Sequence, residues 1–173
     1  MQKKHTNFVV KGALIGAVYT VLTLALGAVS YGNLGIEFRV SEALTILPIF
    51  TFSAVPGLFA GCVIANLIGM AFSGLGMVDV VFGSLATLIA ALISWLLRNV
   101  TIKGFPFWSF LPPIIANAVI VGIELRLFVP DAFSSFLWAF FIVGTGEAVV
   151  VFVLGTPLYF LVKKNKFLNN FLQ

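Results

Sequence analysis

The sequence predicts an all-α integral membrane protein, a bundle of six transmembrane helices with both termini in the cytoplasm. Of its 173 residues, 61% are hydrophobic and only 9% are charged, and the mean hydropathy is +1.14. Soluble domains are about 45–50% apolar and about 25% charged, so a chain of this composition needs lipid as its solvent. Six helices of about 20 residues would leave only short loops and tails.

Charge-free runs define the first three helices. The first run covers 12–30; a cleaved signal peptide is the alternative, but the run is long and the rest of the chain is equally apolar. The next run, 43–78, has 36 residues, which as one helix would measure about 54 Å and must therefore fold back. We predict the turn at Pro56-Gly57, with Pro48 bending a short second helix.

The ranges of the remaining helices follow from the same pattern. The third helix is predicted over 57–72, the fourth over 80–97 and the last over 132–162. The fifth run, 104–123, has three prolines near its start, which indicates an irregular or bent entry. Residues 1–173 therefore form one membrane domain, with short cytoplasmic tails at 1–7 and 163–173.

Lysine and arginine indicate the orientation. If the N-terminus is inside, eight of the ten basic residues fall on the cytoplasmic side and only Arg39 and Arg126 fall outside. This bias follows the positive-inside rule of multi-pass proteins in the bacterial cell membrane, and an even helix count places both termini in the cytoplasm. No basic stripe with interleaved aromatic residues is present, which argues against nucleic-acid binding.

The same topology collects the acidic residues on the outer side. Five of them fall at outer helix ends or in outer loops: Glu37, Glu42, Asp79, Glu124 and Asp131. Glu147 lies about 24 Å up the last helix from its cytoplasmic end. A carboxylate within a transmembrane helix costs at least about 2.5 kcal/mol and marks a functional site by default. The alternative for Glu147 is a structural ion pair with Arg126 or Arg39.

Amide side chains extend this acidic cluster. Asn117 and Glu124 are seven residues apart, which is two helical turns, so they share one face of the fifth helix. Asn66 lies in the middle of the third predicted helix. Asn117 alone is equally well explained by hydrogen bonding between helices. Together with Glu124 it favours a ligand site.

Small residues mark the first helix. Gly12 and Gly16, and likewise Ala13 and Ala17, form two small-xxx-small patterns in its cytoplasmic half. Such patterns let helix backbones approach closely in lipid. The sequence leaves two interpretations open: packing within this chain's own bundle, or docking of another membrane subunit.

Catalytic and metal-binding motifs are missing from the sequence. It contains no Walker motif, no HExxH and no GxSxG. His5 is the only histidine and lies in the N-terminal tail, and Cys62 is the only cysteine and lies within an apolar run. We therefore expect no enzyme activity, no cofactor and no metal. Any energy for transport would come from a partner.

Five segments, in order, resemble one known family. They are EFRVSEALT at 37–45, PGLFAGCVIAN at 56–66, DVVFGSLAT at 79–87, NAVIVGIE at 117–124 and GTGE at 144–147. Their order and spacing are similar to the QueT family, whose members are S-components, the substrate-binding subunits of energy-coupling factor (ECF) vitamin transporters, and are associated with uptake of queuosine precursors. The resemblance covers nearly the whole chain.

The resemblance implies an S-component-like bundle that binds a micronutrient near the outer face. It also implies partners: the transmembrane coupling protein EcfT and two cytoplasmic ECF ATPases, which drive a toppling motion that releases the ligand inside. The first helix of such proteins carries an AxxxA-like motif that docks the coupling protein. Ala13 and Ala17 match that motif, and this favours the docking interpretation.

The implied ligand is a 7-deazaguanine such as preQ1. The N1–H and 2-amino groups of its guanine-like edge form a two-donor fork that a carboxylate can accept through charge-assisted bonds. We expect Glu147 or Glu124 to bind this edge. preQ1 also carries an aminomethyl cation, and we expect Asp79 or Glu42 to bind that cation.

The remaining polar residues complete the expected site. Asn117 or Asn66 is expected to bind the carbonyl oxygen, and an aromatic ring to stack on the flat base. Arg39 is expected to pair with a loop carboxylate and close the site. Two alternatives stay open: an S-component for another flat vitamin, such as thiamine or riboflavin, and a self-sufficient small carrier or channel.

Overall fold

The protein is almost entirely helical. The computed structural model describes residues 2–27, 39–70 and 75–172, and the extended pairing found in these ranges is a single isolated bridge between Ile102 and Phe105. The predicted ends of the first and third helices, and Glu37, lie outside the described residues. The all-α class predicted from the sequence is thus confirmed for the part of the chain that the structure describes.

Two long helices flank two short ones in the first half of the chain. Helix α1 spans Gln2–Ala25, a 3₁₀ helix spans Val40–Ile49, α2 spans Ala54–Gly69 and α3 spans Met77–Leu97. Helix α1 begins well before the predicted start of the apolar run, so most of the predicted N-terminal tail is helical.

The second half contains two long helices and a short terminal one. A 3₁₀ turn, Phe107–Phe110, leads into α4, Leu111–Phe128, in agreement with the irregular entry that the prolines predict. One continuous helix follows, composed of α5 (Phe136–Val149), a π-helical segment (Val150–Gly155) and α6 (Thr156–Lys164). The predicted C-terminal tail contains the short helix α7, Lys166–Leu172.

Four helices are long and apolar enough to cross a bilayer: Thr6–Ala25, Met77–Leu97, Phe107–Phe128 and Phe136–Lys164. The 3₁₀ helix and α2 are apolar but shorter. This arrangement is that of a membrane protein, because most of the long helices expose apolar side chains over much of their length.

The turn predicted at Pro56-Gly57 is wrong. Helix α2 begins at Ala54, and the non-helical link between the 3₁₀ helix and α2 is formed by residues 50–53. Pro56 falls in the first turn of the helix, where a missing backbone N–H costs nothing because that group would have no partner within the helix. Asn66, predicted in the middle of its helix, lies one turn before the end of α2.

Glycines bring α1 and α2 into close contact. A Cβ atom on Gly16 would lie only 2.7 Å from the backbone oxygen of Gly57, and Gly12 packs against the same residue. Ala13 and Ala17, on the adjacent face of α1, are exposed. The two small-residue patterns therefore have different surroundings. The glycines pack against α2 of this chain, and the alanines remain exposed.

The two ends of the bundle carry different charges. At one end, which we call the lysine end, Lys163 Nζ lies 3.5 Å from the backbone oxygen of Gly104, and Lys11 lies over the ring of Phe171. The other end, which we call the acid end, contains Arg39 and Asp79. The acidic Asp79 and these two lysines thus lie at opposite ends of the bundle, and Arg39 is paired with an acid at the acid end.

Candidate functional site

An ion-paired cluster joins three elements at the acid end. Arg39 directly precedes the 3₁₀ helix, and its Nη2 donates to both carboxylate oxygens of Asp79 at 3.0 Å. Its Nη1 donates to Asn66 Oδ1 at 3.2 Å, and Asn66 Nδ2 donates to the backbone oxygen of Asp79 at 3.0 Å. Arg39 was expected to pair with a loop carboxylate; its partner instead belongs to the first turn of α3, where the helix dipole favours a negative charge.

A glycine makes room for this cluster. A Cβ atom on Gly83 would lie 2.9 Å from Asn66 Nδ2 and 3.2 Å from Asp79 Oδ1. The first distance is shorter than real Cβ contacts, so any side chain here would displace the cluster. Sequence reasoning missed Gly83, because its role depends on side chains from two other elements.

Glu42 is a buried carboxylate with one oxygen held and one without a partner. It lies near the start of the 3₁₀ helix and is 2% exposed. The Tyr19 hydroxyl on α1 donates to Oε1, whereas Oε2 is buried and has no hydrogen-bond partner. Thr45 Oγ1 donates to the Glu42 backbone oxygen at 2.6 Å, which fixes this turn.

Glu147 brings a second carboxylate to the same region from α5. It is 8% exposed, and its Oε1 is buried without a hydrogen-bond partner. It interacts with the side chain of Asn117 and lies within electrostatic range of Glu42 and Arg39. The π-helical segment begins three residues later and packs against the 3₁₀ helix that carries Glu42. Such π segments occur frequently at functional sites.

The other predicted residues fall into two groups. Asn117 and Glu124 are both buried, two turns apart on α4, as their spacing predicts. Asn117 Nδ2 donates to the Pro113 backbone oxygen at 3.0 Å. The role of Glu124 in ligand binding stays a prediction. Arg126 and Asp131 are exposed.

The structure adds polar residues that the sequence analysis overlooked. Tyr19 is fully buried and reaches Glu42, and Ser84 on α3 has a buried hydroxyl without a partner. A tyrosine inside a predicted apolar helix is a signal that could have found the first, because a buried phenol usually has a hydrogen-bond partner. Among the described residues, no group of His, Cys, Asp or Glu could hold a metal ion.

One buried oxygen of each of the two carboxylates has no hydrogen-bond donor among the described residues. Leaving a buried polar group without a partner costs about 1–3 kcal/mol, and more for a charged group. Native proteins seldom retain such groups without a reason. Glu42 and Glu147 present acceptor oxygens from two different helices, and the Asn117 amide lies beside one of them.

Comparisons with known proteins identify the family of the chain. The sequence profile of QueT transporters matches residues 9–164. A relative named Queuosine precursor transporter QueT, from Lactococcus lactis subsp. cremoris (strain MG1363), is 35% identical over 111 residues. That alignment covers 63% of this chain and 61% of the relative, so the match spans less than two thirds of the relative's length. No solved structure matches the chain.

Proposed function

The chain belongs to the QueT transporter family, and from that premise we propose that it is the substrate-binding membrane subunit of an ECF-type importer for queuosine precursors. The name of the Lactococcus relative supports the substrate class. The family resemblance supports the partners, a transmembrane coupling protein EcfT and two cytoplasmic ATPases. In this proposal the chain binds ligand and does no chemistry on it.

The proposed topology has six membrane segments. The four long apolar helices would span the bilayer, and the shorter 3₁₀ helix and α2 would supply the other two segments. The lysine end would face the cytoplasm under the positive-inside rule. The acid end would then face outward, where an importer first meets its ligand.

The observation that carries the proposal is the pair of buried carboxylate oxygens, Glu42 Oε2 and Glu147 Oε1, that have no protein partner. In our proposal Glu147, with Asn117 beside it, accepts the N1–H and 2-amino donors of the guanine-like edge. Glu42 then binds the aminomethyl cation. Asp79 was an equal candidate for the cation in the sequence analysis, but its carboxylate is engaged by Arg39, so we assign it a positioning role.

The proposed docking surface for the coupling protein is the exposed face of α1. Ala13 and Ala17 line a groove of about 590 Å³ between α1 and α2, together with Pro56 and Ala60. Small side chains along such a groove would let a partner helix approach the backbone closely.

Binding to the purified protein in lipid nanodiscs tests the substrate class. We expect preQ1 to bind more tightly than thiamine or riboflavin, with preQ0 and queuine as further 7-deazaguanine candidates. Tighter binding of either vitamin would contradict the proposed substrate.

Uptake into liposomes tests the proposed role. The chain alone should take up no preQ1, and uptake should require the coupling protein, the ATPases and ATP. ATP-independent uptake by the chain alone would identify a self-sufficient carrier and contradict the proposal.

A further inference from the structure

Tyr19 is the residue through which α1 contacts the Glu42 carboxylate. Its side chain is fully buried, and its hydroxyl donates to Glu42 Oε1. Hydrogen bonds to an ionised acceptor are roughly twice as strong as neutral ones. The bond engages one carboxylate oxygen and leaves Oε2 as the oxygen available to a ligand.

A second contact from α1 fixes the backbone beside Glu42. Thr23 lies one helical turn after Tyr19, and its Oγ1 donates to Ser41 Oγ at 2.7 Å. Ser41 directly precedes Glu42 in the 3₁₀ helix. Both Thr23 and Ser41 are fully buried, so α1 holds the start of the 3₁₀ helix at two successive residues.

The position of Tyr19 is itself set by the packing of α1 on α2. A Cβ atom on Gly61 would lie 3.1 Å from the Tyr19 Cβ atom, so the absence of a side chain there admits the tyrosine. Thr20 Oγ1 lies within hydrogen-bond distance of two backbone oxygens, that of Gly61 at 3.0 Å and that of Gly16 at 2.9 Å, and its single proton is shared between them. The tyrosine therefore has little freedom to move relative to α2.

We propose that Tyr19 is a positioning residue that orients Glu42 toward the cationic group of the ligand and so selects charged over neutral ligands. The inference rests on the proposed function. A carboxylate already held in its binding orientation loses less conformational freedom when the ligand arrives. Without the hydroxyl, Glu42 would be free to rotate, and the ligand group that depends on Glu42 would lose the most affinity.

The test compares two ligands that share the 7-deazaguanine ring and differ in the group at C7, one cationic and one neutral. One is 7-aminomethyl-7-deazaguanine, a cation at neutral pH, and the other is its neutral 7-cyano analogue. For the Tyr19→Phe variant in nanodiscs we expect about a tenfold loss of affinity for the cation, as for removal of one hydrogen bond to a charged group, and little change for the nitrile. A general structural defect would weaken both ligands equally, and that outcome would overturn the inference.

Two further variants keep the test decisive. Tyr159→Phe removes a hydroxyl from another buried tyrosine, at the lysine end, and should leave both affinities unchanged. Thr23→Val keeps the shape of the side chain and removes the hydroxyl that contacts both Ser41 and the Tyr19 backbone oxygen. It should lower the affinity for the cation relative to that for the nitrile, by a smaller factor than Tyr19→Phe, and it provides this readout even if Tyr19→Phe fails to fold. An unchanged ratio in a folded Thr23→Val variant would contradict the inference.

The result separates this inference from the proposed function. If the wild-type protein binds the cation and Tyr19→Phe leaves the ratio of the two affinities unchanged, only the positioning role of Tyr19 is overturned. If the wild-type protein binds neither 7-deazaguanine, the proposed function is contradicted and the inference falls with it.

Discussion

The lysine end and the acid end of this bundle are built differently. At the lysine end, aromatic rings pack on one another: the centroids of Phe105, Phe110 and Tyr159 lie 4.9–6.2 Å apart. At the acid end, buried carboxylates from separate helices come together, and Glu42 and Glu147 each retain an oxygen without a partner. One end is therefore filled by aromatic packing, whereas the other retains the buried acceptor oxygens on which the proposed binding role depends.

The polar groups of the two ends support this distinction. Near the lysine end Arg98 donates to the Trp95 backbone oxygen at 2.7 Å and lies over the Trp95 ring. A buried polar atom without a partner also occurs there, the Ser109 hydroxyl oxygen, but it is neutral. A buried carboxylate oxygen without a partner is more costly than a hydroxyl, so the unpaired acceptors described at the acid end carry the larger electrostatic cost.

The largest loss of folded protein should follow from disrupting the contact between α1 and α2, in the lysine-end half of α1. Gly16→Leu would place side-chain atoms against the Gly57 backbone, where even a Cβ atom would lie at 2.7 Å. Because backbone cannot give way as a flexible side chain can, we expect loss of the folded protein, measured as the monodisperse yield in detergent.

The neighbouring position provides the matched control. Ala17→Leu adds the same side chain to the exposed face of α1 and should fold normally. Normal yield of Gly16→Leu would show that the α1–α2 contact is not tight, and would remove the basis for separating the two small-residue patterns.

The next largest effect should come from breaking the Arg39–Asp79 ion pair at the acid end, which should lower both stability and ligand affinity. Arg39→Gln would leave Asp79, whose side chain is 4% exposed, as a buried carboxylate without its counter-ion. Removing one partner of a buried ion pair costs about 3–5 kcal/mol. We expect a lower thermal unfolding temperature together with weaker preQ1 binding.

An exposed arginine is the control for this change. Arg126→Gln removes the same charge from the same end of the bundle, but Arg126 is exposed. It should alter neither the unfolding temperature nor the affinity. Equal effects from the two variants would mean that stability and affinity depend on the net charge of the acid end and not on the Arg39–Asp79 pair.

The smallest change in stability should come from the aromatic packing at the lysine end, where a substitution should lower stability without changing ligand affinity. Phe110 is fully buried among aromatic rings, and Phe110→Ala would leave a cavity. We expect a loss of about 2 kcal/mol of stability, below the roughly 3–5 kcal/mol of soluble cores, because lipid provides no hydrophobic driving force between helices. The affinity for preQ1, measured below the unfolding temperature, should not change. A loss of affinity would contradict the division of labour between the two ends.

Much of the fold was predictable because lipid imposes simple rules on sequence. Apolar runs indicated the helices, and the distribution of lysine and arginine indicated the two ends. Pro56 misled the analysis, because proline marks a turn in one context and the first turn of a helix in another. The 3₁₀ and π geometries were not predictable, since no local pattern in Val40–Ile49 or Val150–Gly155 distinguishes them from an α-helix.

The candidate site was predictable as a set of residues but not as a set of contacts. The intramembrane position of Glu147 and the seven-residue spacing of Asn117 and Glu124 were visible in the sequence. The bond from Tyr19 to Glu42 was not, because it depends on how α1 meets a 3₁₀ helix 23 residues further along the chain. Pairwise contacts between helices depend on packing between segments far apart in the chain, and no local sequence pattern reveals them.

Titration of preQ1 into the Glu147→Gln variant, beside wild type and Asp131→Asn, tests the central claim most directly. The glutamine would keep the volume of the side chain but turn one acceptor into a donor, so we expect affinity to fall by at least about tenfold. Asp131→Asn alters an exposed acid and should bind as wild type does. Equal affinities for wild type and Glu147→Gln would contradict the claim that the buried carboxylates of the acid end hold the ligand.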